Sequence, residues 1–443
     1  MGSRASAVKN ARTTSTLSTA PWPTLPDEAL YGPLGRFVQD AARYTEADKA
    51  GLLGSALIFA GMLVAPSRVA LQMGNAWHPP LLYAVLAGRT ARARKGTATQ
   101  PVMQALGIVT PEFPYLIVRG FGSGEALVDA LYERQMALVQ ESEFGAVMKI
   151  VNRDGSTLGN IFRQAWDGTP LENHTRKHGD VIARDYMVAM LGHVTVPELL
   201  NTISDSDLYG GTINRTLFFC TERSQVLPNF GNVPGRVVGR LAKSLQTVNA
   251  LKPPTWDGLE SLALNGDEAD EVEPDEEADD GGGSPIRWKS ALWTEAGLKA
   301  WSNFYKQAAA DDPPGLLGHI VARGEVQAAR IALTFALVDG ETKIDACHVE
   351  AAATVWSYCR ASAAHIFGQS TGSRTSDRLL QALIEAGEDG ILQSQIRTVL
   401  GSSNIDSKRV EAVLRSLGSC VESRPVETGG RTATKWFYTG GQP

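Results

Sequence analysis

"LLYAVLAGRTARARKGTATQ", residues 81–100, passes from an apolar run through a glycine and a basic turn into Lys95-Gly96-Thr97, where helix-forming residues begin. Either this is a phosphate-binding loop between a buried strand and a helix, or it is a basic turn that caps the helix; the choice decides the fold. A phosphate loop needs backbone N–H groups aimed at phosphate oxygens, a lysine for the terminal phosphates and a hydroxyl for magnesium. Here "LLYAVLAG" reads as the strand, Gly88 opens the turn, Thr90 lies within it, and Thr97 begins a helix through "TATQPVMQAL". The spacing departs from G-x-x-x-x-G-K-[ST]: Lys95 comes seven residues after Gly88, Gly96 separates it from Thr97, and Arg94 holds the lysine position. Arginine clamps phosphate bidentately, so either register supplies a cation. Alone, the loop supports both readings.

Working outward, "RVALQM", "YLIVRG", "MALVQE", "YMVAMLGH" and "RTLFFCTE" are short apolar runs separated by helix-length amphipathic stretches. That alternation predicts a largely parallel sheet with helices on both faces. A nucleotide hydrolase also needs a carboxylate at the end of a neighbouring strand to hold magnesium and polarise water. "MALVQESEF" offers Glu141 and Glu143, with Gln140 where aspartate is usual; two glutamates opening a helix, stabilised by its dipole, is the other reading. His193 ends another apolar run, where a polar side chain can sense a terminal phosphate, although a lone histidine also serves as a core residue. Asn214-Arg215 precede the run "TLFFCT" and Arg223 follows it; an arginine at a sheet edge can reach a neighbouring subunit's nucleotide, or be ordinary surface charge. His174 and His178 are spaced by four without a visible third ligand and are read as non-metal.

The chain has 443 residues, 43% of them hydrophobic, which is enough for two or three domains with real cores. Four scattered cysteines suggest neither a disulfide framework nor a zinc site and fit a reducing cytoplasm. "AGLLGSALIFAGMLVA", Ala50 to Ala65, reads as a buried helix and not a membrane span, and the polar N-terminus reads as a disordered tail and not a secretion signal. Net charge is −6, but residues 265–284 hold ten acidic and no basic residues. Block charge of this kind stays unfolded, as a solubilising linker or as a regulatory segment competing with nucleic acid for basic surface.

Expected boundaries follow: a tail over 1–25, an N-terminal helical segment over 26–66, a core over 67–250, an acidic linker over 251–287, a helical subdomain or lid over 288–370, and a further domain over 371–443. In the helical region Trp293, Trp301, Trp356 and Tyr358 recur at helical spacing and are read as packing residues. The last region predicts three short helices and a hairpin around Thr-Gly-Gly, the winged helix-turn-helix plan. In that plan Lys408, Arg409 and Arg415 lie on the recognition helix and Arg424, Arg431 and Lys435 on the wing, facing DNA; a domain charge near zero leaves protein contact as the other reading.

In their order, "YGPLGRFVQDAARYTEADKAGLL", "AGRTARARKGTAT", "GFGSGEALVDAL", "LVQESEFGAVMKIVNRDGSTLGNIFRQAWDG", "MLGHVTVPELL", "INRTLFFCTERS" and "PGLLGHIVARGEVQAARIALTFALVDG" resemble a bacterial family of RecA-like P-loop proteins of unknown function. Its members occur in phages, plasmids and integrated elements, often beside bifunctional primase-polymerase domains. The resemblance spans roughly residues 28–440. It implies an α/β, RecA-like, helicase-like ATPase using ATP and Mg2+, acting on DNA, forming a homo-oligomeric ring such as a hexamer, and partnered by a primase-polymerase. Lys95 and Thr97 are similar to the family's phosphate-loop residues, Glu141 and Glu143 to its acidic strand end, His193 to its sensor position and Asn214-Arg215 to its finger, while Arg323 and Arg330 look like lid arginines that reach back to nucleotide. Two departures stand out: Ala87-Gly88-Arg89 lacks the frequent Gly-Pro at the loop entrance, and Gln140 replaces an apolar strand residue. A non-enzymatic DNA-binding initiator or regulator with a degenerate loop is the competing expectation.

Overall fold

The six consecutive residues Tyr83–Gly88 are all buried, in a strand covered on both faces. In the computed structural model this strand, β3, belongs to a five-stranded all-parallel sheet. The structure describes residues 21–175, 179–203, 210–229, 231–246, 288–311, 313, 316–368, 374–400, 406–428 and 431–440. The tail up to residue 20, the acidic linker, His178 and the two glycines of the C-terminal turn lie outside the described residues, as do the side chains of His174 and Arg431. The chain forms two compact units, residues 22–313 with 318–363, and chiefly residues 364–443.

In the larger unit the strands are β1 (Val69–Met73), β2 (Ala76–His78), β3 (Tyr83–Gly88), β4 (Ile117–Val118), β5 (Met136–Glu141), β6 (Leu171–Thr175), β7 (Gly179–Ala183), β8 (Met187–Thr195), β9 (Thr216–Thr221), β10 (Lys289–Ser290), β11 (Leu292–Trp293) and β12 (Lys343–Ile344). Its helices are α1 (Gly32–Ala42), α2 (Lys49–Val64), α3 (Lys95–Val109), α4 (Gly124–Arg134), α5 (Phe144–Val151), α6 (Leu158–Asp167), α7 (Val196–Thr202), α8 (Gly235–Gln246), α9 (Glu295–Ala310), α10 (Leu316–Val321), α11 (Gly324–Val338) and α12 (Ala346–Phe367). The main sheet runs β4-β5-β8-β3-β9. Chain order reverses at β3, and such a reversal opens a crevice at the carboxyl ends of the strands. β4 is only two residues long because the first two residues of the expected run "YLIVRG", Tyr115 and Leu116, end the 3-10 turn Phe113–Leu116. The expected strand at "RVALQM" stands apart from this sheet: β1 pairs antiparallel with β2 and parallel with β10.

The crossovers between these parallel strands distribute the helices over both faces. One face carries α2 against Ala84, Leu86, Ala189, Leu191, Leu217 and Phe219, with α3 packed beside α2 and α8 beside α3, all in one apolar core. On the other, α5 and α6 bring Phe144, Val147 and Phe162 beside Tyr83 and Met190. Helix α2 is capped by Asp48, which accepts from the Ala50 amide, and it is buried on nearly every side, so it lacks a polar stripe. Its most apolar window is 94% buried inside the protein. Gly61 permits one crossing: a Cβ there would lie 2.2 Å from the Pro80 carbonyl oxygen. Because α1, α2, α11 and much of α12 enter one core with the sheet, neither the N-terminal helices nor these later helices form a detached layer. The expected lid is therefore corrected: Ala328–Val338 is buried, and a hinged cover cannot also be the core. The aromatic residues pack as expected, with Trp293 stacked on Trp301 at 5.3 Å and Phe304 edge-on to Trp356.

The smaller unit holds α13 (Arg374–Ala386), β13 (Ile391–Leu392), α14 (Ile396–Val399), α15 (Ser407–Ser416), β14 (Val421–Thr428) and β15 (Arg431–Tyr438). Its sheet is antiparallel in the order β13-β15-β14, closed over a core of Leu379, Leu383, Ile396, Leu400, Val410, Val413, Leu414 and Leu417. The second expected helix is a single turn, and the residues before it supply a third strand that sequence periodicity did not reveal.

Candidate functional site

Gly88 ends β3 and is level with Thr195 of β8 and Thr221 of β9. From there the chain makes a 3-10 turn over Ala91–Ala93, in which Thr90 accepts from the Arg92 amide, and Arg94 takes a left-handed conformation (φ 55°) before α3 begins at Lys95. Side chains other than glycine seldom adopt that conformation, and here it turns successive amides into a concave nest. The first backbone bond of the helix runs from Ala98 N to Arg94 O, so the amides of Lys95, Gly96 and Thr97 precede it at the positive end of the helix dipole. Open space surrounds the position of a Gly96 Cβ, leaving that backbone approachable. Gly88 is the reverse: a Cβ there would lie 2.5 Å from Ala93 Cβ and 2.9 Å from Lys95 Nζ. The Lys95 ammonium thus folds back over Gly88, donating to the Thr90 carbonyl at 3.4 Å.

Two groups exchange charge effects with this ammonium. Burial lowers the pKa of Lys95, and the Glu198 carboxylate from the first turn of α7 opposes that shift. His193 is level with Leu86 and hence shares the α3 face of the sheet. Burial, reinforced by the Lys95 charge, lowers its pKa to about 4, so the ring is neutral at pH 7. His193 Nε2 and Thr221 Oγ1 are both buried without a hydrogen-bond partner among the described residues. A buried polar atom left unpaired is costly, and two of them at the carboxyl end of the sheet, on the strands flanking β3, mark places where a ligand or water completes the bonding.

Glu46 was missed by the sequence reading because it lies 48 residues before the loop arginine it binds. Its buried carboxylate accepts from Arg94 Nε at 2.7 Å, from the guanidinium of Arg223 and from the Leu227 amide at 2.8 Å. The Arg223 bond, the Leu227 amide and Arg94 hold its pKa down at about 2. The structure therefore corrects the expectation for Arg94: its guanidinium is bound to Glu46, in the segment between α1 and α2, and braces the loop there. Glu198 was likewise missed, since nothing in "TVPELL" distinguishes a site carboxylate from a helix-opening one.

Three further expectations are corrected by position. Arg215 immediately precedes β9 and so lies at the amino end of the sheet, roughly 20 Å from Gly88 by strand rise. Only 7% exposed, it donates to both Asp167 carboxylate oxygens and to the Gly211 carbonyl, and a side chain so enclosed cannot reach another subunit's nucleotide. Arg330 is wholly buried at the same end, donating to the carbonyls of Leu81 and Trp166. Arg323 lies 3.7 Å from Asp167 and over the Trp166 ring, again away from the loop.

The acidic strand end is reoriented as well. Gln140 is level with Leu191, on the α3 face, and accepts from Arg119 at 2.6 Å. Glu141 is level with Gly192, whose added Cβ would strike the Phe144 ring of α5, so Glu141 belongs to the opposite face. It accepts from the Gly120 amide at 2.7 Å, and burial raises its pKa. Glu143 is exposed at the start of α5 and caps it with no side-chain bond. Thr97 and Thr90 are exposed on the loop.

In the smaller unit Lys408, Arg409 and Arg415 are exposed along α15, whose N-cap Asp406 accepts from the Arg409 amide. Arg424 and Lys435 are opposite one another on β14 and β15 and flank the Phe437 ring; Arg424 also pairs with Glu422. Arg431 opens β15 opposite Thr428. In comparison with known proteins, the chain matches no family model and no curated protein.

Proposed function

We propose that this chain is a RecA-like P-loop ATPase that binds ATP with Mg2+ at the carboxyl end of β3. In this reading it acts on DNA as a helicase-like motor of a phage or mobile-element replication system, in the cytoplasm, beside a primase-polymerase. The observation that carries the reading is the closed nest between Gly88 and Thr97, with the Lys95 ammonium folded over it and the unpaired His193 Nε2 on the same face. The sheet order supports it too, because β8, which bears His193, lies between the loop strand and the acidic strand. The helical and antiparallel smaller unit is read as a winged helix, with Lys408, Arg409 and Arg415 offered to DNA phosphates.

The residues fit a polyphosphate tail. The amides of Lys95, Gly96 and Thr97 would hold its oxygens, Lys95 would neutralise the terminal phosphates, and neutral His193 would hydrogen-bond the last one. No cluster of three or more His, Cys, Asp or Glu that could hold a metal occurs among the described residues. Mg2+ fits such a site, because it is ordinarily held by substrate phosphates with one or two protein oxygens; here those are Thr97 and a carboxylate. When bound it would supply charge neutralisation across the phosphates. Glu198, whose charge is felt at Lys95, is the carboxylate assigned to orient water. Assembly as a homo-oligomeric ring stays part of the proposal, with the trans arginine a residue other than Arg215.

One observation favours a second reading. With Gln140 on the loop face and Glu141 on the other, the strand end usually responsible for metal-linked chemistry presents no carboxylate to the nest. A DNA-binding initiator with a nucleotide-poor, degenerate loop would look the same. Phosphate release with and without single-stranded DNA separates the two. DNA-stimulated turnover, abolished in Lys95→Ala and reduced about 100-fold or more in Glu198→Gln, supports the motor. Tight DNA binding without turnover supports the initiator.

A further inference from the structure

Among the described residues, Arg215, Arg323 and Arg330 at the amino end of the main sheet gather around one carboxylate, Asp167, which is already bonded by Arg215 at 2.6 Å and approached by Arg323 at 3.7 Å. Arg330, 1% exposed, has only two backbone carbonyls and the face of Trp166 at 3.8 Å. His78 adds no charge, because burial and the adjacent arginines lower its pKa to about 4. A buried guanidinium without an anion is destabilising unless something else supplies the negative charge.

Beside this cluster lies a cavity of about 340 Å³, within the size range of small-molecule sites. Its walls include Trp77, Trp166, Tyr186, Trp288, Arg184 and Arg330. Two of these buried side chains hold unused donors: Arg330 Nε and Trp166 Nε1 find no partner among the described residues. Both are N–H groups, so the missing partner is an acceptor. Aromatic walls favour a flat body, on which rings stack, and the surplus charge favours an anion.

We infer that this cavity binds a planar-ring organic anion of about mononucleotide size, a ring bearing a phosphate or a carboxylate, its anion held by Arg330 and Trp166 Nε1 and its ring beside the Trp77 and Trp288 walls. The site is separate from the β3 loop, at the other end of the same strand, so it does not depend on the proposed ATPase function.

Calorimetric titration of the full chain carrying Lys95→Ala, which disables the loop, tests the inference with four probes. These are dAMP and indole-3-acetate, and their uncharged counterparts deoxyadenosine and indole-3-acetamide. At least one anion should bind with one-to-one stoichiometry, at least tenfold tighter than its neutral counterpart. Trp77→Ala, at the partly exposed wall, and Trp166→Phe, which removes the unused donor while keeping a ring, should each weaken it tenfold or more. Absence of binding by both anions at 5 mM would overturn the inference, as would affinity unchanged by both substitutions or equal for charged and neutral probes. Loss of ATP binding in the unsubstituted chain would count against the loop alone.

Discussion

Substituting Gly88→Ala adds one carbon at the most constrained point of the loop. That carbon would sit 2.5 Å from Ala93 Cβ, whereas carbon atoms in contact prefer about 3.5–4.0 Å, so the 3-10 turn must retreat by about 1 Å. Lys95 Nζ, at 2.9 Å, is the tip of a flexible chain and swings aside, which removes it from its place over the nest. Overpacking of this kind costs about 1–3 kcal/mol of stability. Displacing an organised site by about 1 Å costs about 100-fold in function, equivalent to about 2.8 kcal/mol. Gly88→Ala should therefore weaken ATP binding about 100-fold by calorimetry while the chain still unfolds cooperatively in urea. The second change Ala93→Gly removes the opposing carbon and should restore most of the affinity. An unchanged ATP affinity in Gly88→Ala, or no recovery in the double variant, would refute the close-packed loop as the binding element.

Further outcomes follow from the same structure. Glu46→Gln should loosen Arg94 and Arg223 together. Because the Glu46 pKa is depressed from 4.5 to about 2, its contribution is present above about pH 4.5 and lost as pH falls toward 2. Denaturation curves of wild type and variant should thus differ by a constant amount at neutral pH and converge in acid. His193, with its pKa lowered from 6.5 to about 4, stays neutral when folded, so the unfolded chain binds the extra proton between those values. Stability should rise with pH through that window for wild type and less so for His193→Asn, and the His193 ring should show no NMR titration between pH 6 and 8. Asp167→Asn leaves Arg215 without its carboxylate and should destabilise the larger unit by about 2–3 kcal/mol in urea, the low end for buried pairs because Asp167 is one-third exposed. Lys408→Ala and Arg409→Ala should each lower DNA affinity across sequences and reduce the salt slope by about one.

The strand, the turn and the helix around residues 81–100 were legible because an apolar run, a glycine and a helix start are local signals. So was the parallel sheet, from the repetition of such runs. What escaped detection was carried by contacts distant in sequence. Glu46 reaches Arg94 across 48 residues, and Arg215 is drawn into the sheet's amino end by Asp167, another 48 residues away. An arginine before a strand reads the same whether it is exposed or enclosed. Glu141 looked correctly placed by spacing, yet period-two alternation aims it away from the loop once its register with Gly192 is fixed. The lid failed for a related reason: Gln327, Arg330 and Thr334 line one face of "EVQAARIALTFALV" at helical spacing and read as a solvent-facing stripe, yet all three are buried, so the helix lies inside the core.

Calorimetric titration of the full chain with ATP and magnesium addresses the central claim most directly. One equivalent of ATP should bind per chain, and Lys95→Ala should abolish the signal with the chain still folded. A folded wild-type chain that takes up no ATP at millimolar concentration would contradict the claim.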